Sequence, residues 1–167
     1  MHYFSNALHH LLLFRLPANM ILLAIPVMTV MALLAVLAHE GAHYVAGRAF
    51  GIRGCLVLFA RRGVTRLWFL SLFAMDFSRT AGYLSLSNNQ RRVIIAAGPV
   101  SDVLLAAACL ASAHYYGVSG GLIVASIQLL GFLLLSMTVL MNIVPHSGRN
   151  DGWMFVWPDR PLTARGE

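Results

Sequence analysis

Three long apolar runs leave this chain few folds to choose from. Residues Ala18 to Ala46 carry charge only at Glu40, Val93 to Tyr116 carry an acid only at Asp102, and Gly121 to Val144 carry no charge. A helix rises about 1.5 Å per residue, so about 20 residues cross the ~30 Å of bilayer hydrocarbon, and each run is long enough. In lipid the backbone N–H and C=O groups must be satisfied internally, which makes such runs helices. Composition agrees: 59% of residues are hydrophobic and 11% charged, too little charge to cover a soluble domain of this size. The expected fold is an all-α polytopic membrane protein with three core spans, about 18–46, 93–116 and 121–144. Residues 1–157 are expected to form one membrane-embedded domain, followed by a disordered tail over 158–167.

Two further segments add detail. Phe4 to Leu16 is shorter, contains His9, His10 and Arg15, and stops at Pro17; it reads as an interfacial helix. Arg15 ahead of an apolar run has the look of a secretory signal. The run is too long for a signal core, however, and no A-x-A cleavage site follows, so an uncleaved first span is expected. Between the first and second spans, Ile52–Ala60, Arg66–Ala74 and Arg79–Leu86 are rich in aliphatic and aromatic residues and read as strands. They predict a small β-hairpin or sheet at the membrane surface, over about 52–86.

The net charge of +6 comes with no Lys at all; every basic residue is Arg. Arg48, Arg53, Arg61, Arg62, Arg66, Arg79, Arg91 and Arg92 all lie between the first two spans. Under the positive-inside rule that loop is cytoplasmic, Gly117–Gly120 turns outside, and the tail with Arg149, Arg160 and Arg165 returns inside. Topology thus accounts for the basic balance without nucleic acid as a partner. Cys55 and Cys109 lie in different segments and form no CxxC pair, so neither a disulfide framework nor a cysteine-based zinc site is expected.

The chemistry is concentrated in His39-Glu40-Gly41-Ala42-His43, an H-E-x-x-H motif near the cytoplasmic end of the first span. Helical spacing of four puts both imidazoles on one face, where they can ligate one Zn2+ ion, and Glu40 can take a proton from the attacking water. Histidines also occur at helix ends as interfacial polar groups. Three ionisable side chains within five positions of a span, each costly to insert, point instead to function. A catalytic zinc usually has a third protein ligand. At 1.5 Å per residue the two histidines lie about 6–12 Å inside the span's end, which leaves Asp102, His146 and Asp151 as candidates by depth.

At this point the chain resembles a known family. H-E-x-x-H in a membrane helix, Ala97-Gly98-Pro99 opening the second span, and Asn142-Ile143-Val144-Pro145 followed by Asp151-Gly152 look like the three motifs of the site-2 proteases, the intramembrane zinc metalloproteases. Ala81-Gly82-Tyr83 resembles the glycine-bearing strand between the first two motifs, and the likeness covers roughly residues 20 to 153. It implies that His39, His43 and Asp151 hold zinc, with Glu40 as general base. Asn142 would touch the substrate backbone, and a strand at Gly82 would help to hold the substrate. Pro145 breaks the third helix so that the chain can fold back, and Gly152 permits close backbone approach. Asp151 could instead cap a final short helix.

Asp102 stands where the family pattern has Asn, and fits an outer partner that orients a ligating histidine. Asn150 replaces the usual Leu before Asp-Gly. The expected activity is cleavage of a membrane-anchored, single-span protein in or near its transmembrane segment. The expected location is a bacterial plasma membrane with the site toward the cytoplasm, leaving room for additional subunits. Two alternatives remain: a catalytically weak or inactive homologue acting as a membrane-bound regulator, and a metal transporter, against which the lack of paired acids along a path argues.

Overall fold

A computed structural model of the chain describes residues 9, 18–52, 55–58, 73–76, 81–119, 122–145 and 150–158. The elements in chain order are α1 (Ala18–Ala49), β1 (Cys55–Leu58), β2 (Phe73–Asp76), α2 (Ala81–Leu84), α3 (Asn88–Val118), α4 (Leu122–Ile143) and α5 (Asp151–Val156). Three stretches, Ile25–Ala49, Asn88–Tyr116 and Ile123–Ile143, are long and apolar enough to cross a membrane, consistent with an integral membrane protein. The expected interfacial helix at Phe4–Leu16, apart from His9, and the tail beyond Pro158 lie outside the described residues.

The helices overrun the apolar runs for identifiable reasons. Helix α3 begins at Asn88, ahead of the expected Val93, because Ser87-Asn88-Asn89-Gln90 forms a capping box. The Gln90 N–H donates to Ser87 Oγ at 3.3 Å, and the Ser87 N–H donates back to Gln90 Oε1 at 2.9 Å. Helix α1 continues past Ala46 to a Schellman turn. Ile52 N–H donates to the Gly47 carbonyl at 2.9 Å and Gly51 N–H to the Arg48 carbonyl at 3.0 Å, with Gly51 at φ 77°. The turn carries Ile52 into the interior, where it is buried. A Cβ on Gly82 would come within 2.9 Å of Ile52 Cδ1, so glycine makes room for it.

Strands β1 and β2 pair antiparallel, with Cys55 opposite Asp76 and Leu58 opposite Phe73. Strand β2 meets the expected Arg66–Ala74 strand only at its end; residues 59–72 lie outside the described ones. The expected strand over Arg79–Leu86 is corrected: its described part forms the single helical turn α2. Local partners explain the difference. Ser85 Oγ donates to the Gly82 carbonyl at 2.8 Å, and Leu86 N–H donates to the Tyr83 carbonyl at 3.3 Å. These backbone acceptors are satisfied within the turn and need no neighbouring strand.

The chain divides into two compact units. One comprises Met1–Ala35 and Asp102–Thr138, the other Val36–Ser101 and Val139–Glu167. The first is helical and buries Ala106, Ala113, Ala125, Leu129 and Leu135 along with Asp102 and Ser126. A Cβ on Gly131 would lie 2.6 Å from Met31 Cε and 3.4 Å from Cys109 Sγ. Such small residues let membrane helices approach closely where lipid offers no hydrophobic drive to associate. The second unit buries Ile52, Ile94 and Ile95 together with His39 and His43, and holds the site.

Candidate metal centre

His39 and His43, one turn apart on α1, turn their Nε2 atoms toward each other at 3.1 Å. Asp151, the first residue of α5, brings Oδ2 to 3.0 Å from His39 Nε2 and 3.5 Å from His43 Nε2. Both imidazoles are buried, and the Asp151 side chain keeps only 12% exposure. The three residues form a group that could hold a metal ion. The donor set suits zinc: ligands at about 2.0–2.1 Å in a tetrahedral site lie about 3.3 Å from one another, close to the three separations found.

Electrostatics favours the same reading. Burial alone would push the Asp151 carboxyl up, but hydrogen bonds to His39 and His43 outweigh it and hold the group down at about 2. The carboxylate is therefore ionised. His43 Nδ1 lies 2.7 Å from the Ile94 carbonyl oxygen. A carbonyl only accepts, so Nδ1 carries the proton, and a neutral ring then presents the bare lone pair of Nε2 to the site. Nε2 of His39, Nε2 of His43 and the Asp151 carboxylate converge on one point, where positive charge, either a proton on a ring nitrogen or a metal ion, holds them together.

Local structure explains how Asp151 arrives there. Asn150, and not Asp151, caps α5: its Oδ1 accepts from Trp153 N–H at 3.1 Å. Asp151 is left free to face the histidines. A Cβ on Gly152 would collide with the Ile143 backbone carbonyl and lie 3.0 Å from the Asn142 carbonyl oxygen, so glycine there permits the fold-back after α4.

Gly98 on α3 is a residue whose role the sequence reading missed. It is buried, and a Cβ there would strike His43 Nε2 and lie 2.6 Å from His39 Nε2. Its bare backbone forms the wall against which both rings lie. The signal was present in Ala97-Gly98-Pro99, but only as part of a motif.

The remaining candidates are placed as follows. Glu40 is part-buried on α1 beside His39, and Asn142 is part-buried at the end of α4. Gly82 lies in the helical turn α2 rather than in a strand. Asp102 is buried but belongs to the other compact unit and is not one of the three grouped residues. The His43 ring is oriented from outside the site by the Ile94 carbonyl. His146 lies outside the described residues. Tyr83, half-buried on α2, has its phenol pushed up by burial; nearby Arg91 acts against this shift and the Asp151 charge adds to it.

Comparison with family models, with curated proteins and with solved structures gives no match. The site is read from its own geometry.

Proposed function

We propose that this chain is an intramembrane zinc metalloprotease of the site-2 protease kind, cleaving a single-span membrane protein in or near its transmembrane segment. The observation that carries the reading is the convergence of His39 Nε2, His43 Nε2 and Asp151 Oδ2 within 3.0–3.5 Å of one another, on an H-E-x-x-H helix apolar enough to span a bilayer.

In this reading His39, His43 and Asp151 hold the zinc, which when bound supplies a Lewis acid for the scissile carbonyl and lowers the pKa of water. Glu40 accepts the proton of the attacking water and returns it to the leaving amine. Asn142 contacts the substrate backbone. The β1–β2 pair lies at the membrane surface, and its outer edges take an extended substrate segment by strand addition. A helix in lipid has its peptide groups bonded and shielded, so the substrate must be unwound locally before water can attack. The Arg-rich loop supports a site that faces the cytoplasm, in this reading that of a bacterial cell.

The test is coexpression with a panel of tagged single-span proteins, together with metal analysis of the purified protein. About one zinc per chain is expected, lost in His39→Ala. Glu40→Gln should keep the zinc and slow cleavage about 10²–10⁴-fold, the usual worth of a general base. Full zinc retention in both His39→Ala and His43→Ala would sink the proposal.

A further inference from the structure

We infer that Asn150, Arg91 and Arg92 are positioning residues that clamp the short helix α5 at both ends and so set the Asp151 carboxylate against the two histidines. The inference rests on the metal-site reading above and goes beyond it, because none of the three residues offers a ligand to that site.

A six-residue helix has too few internal hydrogen bonds to hold its own direction. Asp151 is its first residue, so a small tilt of α5 would carry the carboxylate away from His39 and His43. At the N-terminal end, Asn150 works in both directions. Its Oδ1 caps α5 through Trp153 N–H, while its Nδ2 donates to the Met141 carbonyl and, at 2.7 Å, to the Val144 carbonyl. Met141 lies in the last turn of α4 and Val144 directly follows its end, where intrahelical donors run out. One amide therefore joins the end of one helix to the start of the next and fixes the angle between them. Leu, the residue the family pattern has here, could do neither; Asp could accept but not donate.

At the C-terminal end, two arginines near the start of α3 take hold. Arg92 Nε donates to the Phe155 carbonyl at 3.1 Å, and its guanidinium lies 5.9 Å from the Phe155 ring centroid. Arg91 Nη1 donates to the Pro158 carbonyl at 3.3 Å. Cations at the C-terminal end of a helix are favoured by its dipole and by its orphan carbonyls. Arg91 also donates through Nε to the Tyr83 carbonyl at 3.3 Å and through Nη2 to the Leu84 carbonyl. It ties the α2 turn and the far end of α5 to one guanidinium. A Lys, with a single point of charge, could not span these acceptors.

The test is Zn2+ affinity, measured by chelator competition on the full chain in detergent micelles. The variants are Asn150→Asp, which keeps the cap and loses the donor, and the double variant Arg91→Ala/Arg92→Ala. Each is expected to bind zinc about 10–100-fold more weakly, the usual loss when an outer partner of a ligand is removed. Each change is then repeated on an Asp151→Ala background. If the clamp acts through Asp151, it costs no further affinity there, since the group it positions is gone. Wild-type affinity in both variants, or an equal further loss on the Asp151→Ala background, would overturn the inference. Should the arginine double variant fail to fold, Asn150→Asp decides alone. Failure of the underlying reading looks different: zinc binding by the wild type would be indifferent to His39→Ala, and the clamp would fall with it.

Discussion

Gly98 and Gly131 are both buried glycines inside helices long and apolar enough to cross a membrane, one in each compact unit, and they are glycine for different reasons. Beside Gly98 stand the ring nitrogens of His39 and His43, held by Asp151 and the Ile94 carbonyl. Beside Gly131 stands the terminal methyl of Met31, the end of a flexible side chain. One neighbour has nowhere to go; the other can swing aside. Closeness alone therefore does not measure how tightly a position is constrained. The freedom of the neighbour does.

The sharpest way to break this comparison is Gly98→Ala. Overpacking against immobile groups costs about 1–3 kcal/mol, and here the strain falls on the ring nitrogens themselves. Zinc affinity should drop about 10–100-fold at about 1.4 kcal/mol per tenfold. Unchanged affinity in a chelator titration would mean that the rings move as easily as Met31.

Gly152→Ala should come next. Its added carbon would meet the Ile143 backbone carbonyl, which shifts only if α5 moves away from α4. A loss of about 1–3 kcal/mol of stability is expected, read by denaturant titration in micelles, together with weaker zinc binding because Asp151 moves with the helix. Lost stability at full zinc affinity would separate α5 from the site.

Gly131→Ala is the smallest effect. Rotation of Met31 relieves most of the contact, and alanine recovers up to about 1 kcal/mol of helix propensity over glycine. Stability should stay within about 1 kcal/mol of wild type, with zinc affinity unchanged. A large loss would show Met31 to be pinned and erase the contrast with Gly98.

The three long apolar helices and the His39–His43 pair were legible because each is written in local pattern: uninterrupted hydrophobicity, and a spacing of one helical turn. Asp151 was less so. Depth alone left Asp102 and His146 as rivals, and the family resemblance supplied the choice. Whether Asp151 or Asn150 would cap the last helix could not be read from the chain, since both residue types cap well. The answer depends on the orphan carbonyls of Met141 and Val144, which need a donor that only the amide has. Helix ends slipped because Ser87 with Gln90, and Gly51 with Ile52, extend structure beyond the apolar runs. Around Gly82, the mix of small, aromatic and hydroxyl residues suits a strand as well as a turn; the Ser85 hydroxyl and the Ile52 side chain decide it.

The hydrogen bond from His43 Nδ1 to the Ile94 carbonyl has a consequence for how such a site can change over generations. The partner that selects the tautomer is peptide backbone, so replacing the side chain of residue 94 does not by itself delete it. Drift at that position leaves the lock in place as long as the helix keeps its path. Substitution records would show nothing there, although the proton inventory of the centre depends on it. Only a change that bends α3, such as a second proline beside Pro99, could remove it, and that would remove the Gly98 wall at the same stroke.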